Sequence, residues 1–220
     1  MIGLEVARRS PGKTRLQAAW WDLICLAAEL IVRSLYLFRV EGAQRVPRSG
    51  PVLFVSNHES YLDPVVNAIA AKDRRMGFLA KEGLFFGAFG WLIRSLGAIP
   101  LKERSDLAAI RAAVGELQRG GCVIIYPEGG RSDHGEVGPF LRGAALLIRR
   151  AGVPVVPMAV EGPNRVWPPS RALPRVFGRL QVAIGDPLPS EMLQADPDGG
   201  IERLRQAVID LQADLRRRHG

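Results

Sequence analysis

The chain has 220 residues, 47% of them hydrophobic, and a formal net charge of +8. These values fit one domain with a sizeable core and exclude a disordered chain or a plainly polytopic membrane protein. The positive balance points to an anionic partner: a membrane surface, a nucleic acid or a phosphorylated substrate.

From the N-terminus, residues 1–15 form a short basic arm containing Pro and Gly. Residues 16–38 are rich in Leu, Ile, Ala and Trp, but Asp22, Glu29 and Arg33 interrupt them. Each charge would cost roughly 2.5–3.5 kcal/mol at a bilayer centre. Their spacing places them on one helical face, opposite a broad apolar face that bears Trp20 and Trp21. That pattern predicts an amphipathic helix lying at a membrane interface; a helix packed on the core is the alternative. No small-x-small cleavage site leads into a secreted domain.

Strand-like and helix-like runs then alternate. Strands are predicted at 37–40, 52–55, 76–80, 98–101, 122–126, 155–160 and 179–184. Helices are predicted at 65–71, 82–95, 106–118, 140–150 and 201–218, and a Pro-rich loop at 163–174. The alternation predicts an α/β fold: a single domain over 41–220, with a mixed, mostly parallel sheet flanked by helices, preceded by the 1–40 arm and amphipathic helix. The stretch 83–96, with Phe85, Phe86, Phe89 and Trp91, is apolar all round. It suits either buried core or a membrane-facing entrance. Arg216 to Arg218 read as a solvated helix end.

Cys25 and Cys122 lie far apart in apolar runs and read as buried thiols, in keeping with a reducing cytosolic compartment. With only His58, His134 and His219 present, no metal cluster is expected. Basic residues are not interleaved with aromatics, so no nucleic-acid partner is expected.

Two short motifs carry chemistry. The first, Ser56-Asn57-His58-Glu59-Ser60-Tyr61-Leu62-Asp63-Pro64, follows the apolar run 51–55. A carboxylate on one imidazole nitrogen fixes the tautomer and stabilises the imidazolium that forms when the other nitrogen takes a proton. Asp63 before Pro64 also suits a helix N-cap. The second motif, Tyr126-Pro127-Glu128-Gly129-Gly130-Arg131-Ser132, sets a carboxylate, two glycines and a guanidinium in a turn after another buried run. Glycines admit a ligand close to the backbone, and Arg offers a planar fork to phosphate or carboxylate. Alone, this stretch suits a plain surface turn equally well.

Together the motifs resemble the glycerolipid acyltransferase family, which includes 1-acylglycerol-3-phosphate acyltransferase. Asn57, His58 and Asp63 match its first motif. Tyr126, Pro127, Glu128, Gly129, Arg131 and Ser132 match its third, with Gly130 in place of the usual Thr. Gly97-Ala98-Ile99-Pro100-Leu101 matches the second block, but the Arg arrives one position late, at Arg104, behind Lys102. Val153 to Pro157 corresponds to the fourth block, and the stretch from Phe78 to Phe85 to the segment between the first two. The resemblance runs from about residue 52 to residue 160.

The resemblance implies a cofactor-free acyl transfer from acyl-CoA or acyl carrier protein to the hydroxyl of a lyso-glycerophospholipid, by default 1-acylglycerol-3-phosphate. His58 and Asp63 are implied as catalytic, and Asn57, Lys102, Arg104, Glu128, Gly129 and Arg131 as substrate-binding. Other lyso-lipid or glycolipid acceptors, an acyl-thioester hydrolase and a non-catalytic membrane module are the alternatives. The expected location is the cytoplasmic face of the cell membrane, against an anionic surface.

Overall fold

Short apolar runs form the strands here, and the intervening runs with helical spacing form the layers that cover them. The computed structural model describes residues 11–102 and 106–219. Helix α1 spans Arg15–Leu35 and passes directly into β1, Tyr36–Glu41. Next come β2 (Val52–Ser56), α2 (Asp63–Ala70), β3 (Met76–Lys81), α3 (Gly87–Ser95), β4 (Ala98–Leu101) and α4 (Leu107–Gln118). The chain continues through β5 (Cys122–Ile125), α5 (Arg142–Ala151), β6 (Val155–Glu161) and a short α6 (Pro163–Val166). It closes with β7 (Gly178–Ile184), α7 (Ser190–Ala195) and α8 (Pro197–His219).

One seven-stranded sheet has the order β1-β7-β6-β2-β5-β3-β4. All pairings are parallel except β6 with β7. Strand β2 lies between β5 and β6 and is buried along its whole length, so its apolar run shows no alternation.

The connections from β2 to β3 and from β3 to β4 step toward one edge; those from β4 to β5 and from β5 to β6 step back. Right-handed crossovers therefore put α2 on one face, and α4 and α5 on the other. Core packing follows that division. Val66 and Ile69 of α2 pack with Val52 and Phe54. Ile110, Ala113 and Leu117 of α4 and Leu147 of α5 pack with Leu53 and Val55. Neighbours β2 and β5 thus send their chains to opposite faces, and a crevice opens beyond their C-terminal ends.

Several elements differ from the sequence expectation. The helix expected over 82–95 is a 3-10 turn, Glu82–Leu84, followed by α3. Gly87, at φ +58°, makes the break that an L-residue would resist. The loop expected over 163–174 begins with α6, and α7 is an additional helix that the 3.6-residue periodicity did not reveal.

Asp22 and Glu29 of α1 turn toward the domain, while Arg33 stays exposed. Asp22 accepts from Arg75 Nε at 2.9 Å, and Glu29 lies 3.1 Å from Lys72 Nζ and 2.9 Å from Arg33 Nε. Ala18, Trp21 and Val32 are buried. Leu16, Leu23, Leu26, Leu30 and Ile31 are exposed. At its start, Trp20 donates to Ser95 Oγ at 2.9 Å and packs on Trp91 with ring centroids 5.7 Å apart. Phe86, Phe89 and Trp91 of the neighbouring α3 region are exposed as well, so this segment, expected as core or entrance, presents aromatic rings at the surface.

Candidate active site

Strand β2 ends in a fully buried Ser56, and the chain must turn to enter α2. Asp63 is the first residue of that helix, with Pro64 after it, and no residue of the turn caps the helix with its side chain. The Asp63 carboxylate instead folds back over the turn. Its Oδ2 accepts from the backbone N–H of Glu59 at 2.6 Å and of Ser60 at 2.8 Å, and lies 2.7 Å from His58 Nδ1. Asp63 is fully buried, whereas the His58 side chain retains 20% exposure. With Nδ1 committed to the carboxylate, Nε2 is the ring nitrogen left to meet a substrate. The imidazole stacks on Tyr126, with centroids 4.3 Å apart and planes at 25°. Burial pushes the Tyr126 phenol well up, and nearby Asp63 adds to this. The phenol therefore stays neutral and accepts from Asn67 Nδ2 at 3.3 Å.

The turn after β5 meets this one across the crevice. Gly129, at φ +66°, closes it with a bond from its N–H to the Tyr126 carbonyl at 3.1 Å. The two motifs then grip one another through His58 itself. The His58 N–H donates to Glu128 Oε1 at 3.1 Å, and the Ser132 N–H donates to the His58 carbonyl at 2.7 Å. Burial pushes the Glu128 carboxyl up to about 7, against the lowering effect of the His58 and Gly138 N–H groups. Glu128 and Arg131 border an open cleft of about 320 Å³. Arg131 stands 3.6 Å over the Tyr61 ring and donates from Nη2 to the Tyr61 hydroxyl at 3.0 Å. Its Nη1 is buried and meets no hydrogen-bond partner among the described residues. A buried donor without a partner costs about 1–3 kcal/mol, which an anionic acceptor would recover.

The fold brings together His58, Asp63, Glu128, Gly129 and Arg131. Asn57 is held differently. It is 1% exposed, accepts from the Val160 N–H at 2.8 Å and donates to the Val160 carbonyl at 3.1 Å, which ties β2 to β6. Lys102, at the end of edge strand β4, lies three strands from β2, about 14 Å at the usual strand spacing. Its ammonium is 4.0 Å from Glu82. Arg104 lies outside the described residues.

Sequence reasoning missed four residues that shape this turn. Tyr61 holds the Arg131 guanidinium, a stacking partnership that an aromatic inside the first motif could have suggested. Asn67 bonds Ser56 Oγ and the Tyr126 hydroxyl. Glu59, 1% exposed, accepts from Gln212 of α8 at 2.6 Å and from Asn57 at 3.2 Å. Burial pushes its carboxyl well up, and Asp63 and Glu161 add to that. No local pattern marks Gln212, because 153 positions separate it from Glu59.

A family model described as acyltransferase matches residues 37–161, from β1 to the end of β6. The chain is 30% identical over 168 residues to the chloroplastic 1-acyl-sn-glycerol-3-phosphate acyltransferase BAT2 of Brassica napus, covering 74% of this chain and 48% of that protein. It is 31% identical over 195 residues to 1-acyl-sn-glycerol-3-phosphate acyltransferase alpha of Homo sapiens, covering 84% and 68%. The crystal structure of the 1-acyl-sn-glycerophosphate acyltransferase PlsC from Thermotoga maritima superposes with a TM-score of 0.76 at 25% identity, over 95% of this chain and 87% of that one. The chain spans about half the length of the chloroplast proteins it matches.

Proposed function

The chain belongs to the acyltransferase family, and from that premise we propose that it acylates the free hydroxyl of a lyso-glycerophospholipid, converting 1-acylglycerol-3-phosphate to phosphatidic acid. The donor is a thioester, acyl-CoA or acyl carrier protein. One observation carries the reading: the 2.7 Å contact between His58 Nδ1 and a buried Asp63 that is itself fixed by two backbone N–H groups. That arrangement holds a base in one tautomer beside a crevice.

In the proposed reaction, His58 Nε2 takes the proton of the acceptor hydroxyl as its oxygen attacks the thioester carbonyl. The tetrahedral intermediate collapses, the ester forms and the C–S bond breaks. The departing thiolate takes the proton back from the imidazolium, so no acyl-enzyme is needed. Asp63 stabilises the imidazolium. Arg131, with its buried unpartnered Nη1, receives the acceptor phosphate in the adjoining cleft. Glu128 and Asn57 act as positioning residues, through the His58 N–H and the Val160 backbone.

The acceptor is a lipid, and α1 supports a membrane-bound enzyme. Asp22 and Glu29 are spent on Arg75, Lys72 and Arg33, and Leu16, Leu23, Leu26 and Leu30 face outward. No helix among the described residues is long and apolar enough to cross a membrane. We place α1 in the interface of an anionic leaflet, on the cytoplasmic face of the cell membrane.

The test supplies purified protein with labelled acyl-CoA or acyl carrier protein and a panel of lyso-acceptors. Labelled phosphatidic acid that appears only with 1-acylglycerol-3-phosphate supports the assignment. Release of free fatty acid whether or not an acceptor is present would make the protein a hydrolase instead.

A further inference from the structure

The segment from Trp167 to Phe177 lies outside the region matched by the family model, and its surface is unlike that of an ordinary loop. Leu173, Val176 and Phe177 are 73%, 59% and 75% exposed. Yet the backbone that carries them is pinned. Trp167 Nε1 donates to the Arg171 carbonyl at 3.0 Å, and the Arg175 N–H to the Val166 carbonyl at 2.9 Å. The Tyr36 hydroxyl donates to the Arg175 carbonyl at 2.9 Å. A hydrogen-bonded loop that leaves three apolar side chains in water forgoes the gain of burying them. Contact with an apolar phase supplies the missing burial.

Position and charge identify that phase. Strand β7 runs antiparallel to β6, with Glu161 opposite Gln181, so its first residue, Gly178, lies beyond the end of β6. That is the edge from which His58 emerges. The Ser60 hydroxyl donates to the Trp167 carbonyl at 2.7 Å, and Trp167 packs on Tyr61, which carries Arg131, with centroids 5.2 Å apart. Tyr36, which holds the loop, is the residue that follows α1. The loop is therefore tied at one side to the strand that follows α1 and at the other to the turn that carries His58. Between residues 162 and 179 the chain carries Arg165, which pairs with Glu161 at 2.6 Å, and Arg171, Arg175 and Arg179, with no acidic residue in that span. Apolar tips among arginines match the acyl boundary and headgroups of an anionic bilayer.

We propose that the 167–177 loop is a second membrane-docking element, which seats Leu173, Val176 and Phe177 in an anionic lipid surface beside the acceptor site. The proposal rests on the membrane reading of α1 given above. It makes attachment two-point and brings the crevice to the lipid layer that holds the acceptor.

The test uses the full chain in a Cys25→Ser background, because Cys122 is buried. An environment-sensitive dye is attached at Phe177→Cys and, as a control, at Arg111→Cys on α4. Vesicles of mixed phosphatidylglycerol and phosphatidylcholine should shift the emission of the Phe177→Cys probe to the blue and leave the control unchanged. Leu173→Ser with Phe177→Ser should lower vesicle affinity about tenfold or more without changing the thermal midpoint. Arg171→Gln with Arg175→Gln should lower it about tenfold for anionic vesicles, and little for pure phosphatidylcholine. If the protein sediments with vesicles while the Phe177→Cys probe stays silent, α1 docks alone and the proposal is overturned. A shift evoked by acyl carrier protein but not by vesicles overturns it in favour of a protein partner. If the intact chain does not sediment with vesicles at all, the membrane reading fails and the proposal falls with it.

Discussion

Two regions depart from the ordinary rule of apolar inside and polar outside, and they do so in opposite senses. The turn after β2 buries Ser56, Asn57, Glu59, Ser60 and Asp63, all at or below 1% exposure. The outer face of α1 exposes five large aliphatic side chains. The first region needs partners for its polar atoms and finds many of them within the protein: backbone N–H groups for Asp63 Oδ2, the Val160 backbone for Asn57 and Gln212 for Glu59, while Asp63 Oδ1 is buried without a partner among the described residues. The second needs partners for its apolar atoms, and the domain, already closed by α2 beneath it, provides none on that side. A buried polar turn is costly unless every member is held, so it is rigid. An apolar face in water has no such anchors. The difference separates a turn whose polar groups the fold holds from a face whose apolar groups it leaves exposed.

The strongest challenge to this contrast is removal of His58, the proposed base. His58→Ala should lower acyl transfer about 10²–10⁴-fold and barely move the thermal midpoint, since the imidazole is partly exposed and not part of the core. Asp63→Asn should fall in the same range of rate. A variant that keeps more than about a tenth of the wild-type rate breaks the assignment of its residue, as read by steady-state transfer alongside thermal unfolding.

Next in size is the phosphate grip. A charged hydrogen bond is worth about 1.5–3 kcal/mol, so Arg131→Ala should raise the acceptor KM about 10–100-fold. The donor KM should stay within about twofold. If a phosphate-free acceptor is weakened equally, Arg131 does not read phosphate.

On the docking side, Leu23→Gln with Leu30→Gln should reduce vesicle sedimentation about tenfold. Stability should hold or rise slightly, because these side chains already face water. A large drop in thermal midpoint would mean that the face is covered by protein and would erase the contrast between the two regions.

The smallest effect sharpens the account of the turn. Glu128 has a folded-state carboxyl near 7 against an ordinary 4.5. The folded protein therefore holds an extra proton between those values, and stability falls as pH rises through that window, then levels off above the folded value. Glu128→Gln should remove this part of the slope. The difference between wild type and variant is about 1–2 kcal/mol across the window, after discounting for the water that reaches the group. Denaturant titrations at intervals from pH 4.5 to 8 measure it, and identical slopes would show that the carboxyl is not desolvated as described.

Much of this architecture was legible in the amino-acid order. All seven strands lie where apolar runs predicted them, because period and composition are local properties of the chain. His58 and Asp63 were legible too. Five positions put the two within reach across a tight strand-to-helix turn, the motif match gave the reason to expect them together, and the structure brings them to 2.7 Å. The charged stripe of α1 could also be read from spacing alone. Its direction could not, because turning Asp22 and Glu29 toward Arg75 and Lys72 depends on which surface the helix lies against.

The rest was decided by topology. Strand order comes from long-range pairing, which no local pattern encodes, and it alone makes β2 and β5 neighbours with diverging helices. That adjacency delivers Glu128 to the His58 N–H across 70 positions and sets Arg131 over Tyr61. It also puts Lys102, which the family resemblance implied as substrate-binding, at the end of β4, two strands beyond β5. Local sequence determined which elements form and where the base and its carboxylate meet, because neighbours in the chain are forced to be neighbours in space. Only the assembled sheet decided what faces that pair and which apolar surface was left uncovered, because those contacts join segments that the chain holds far apart.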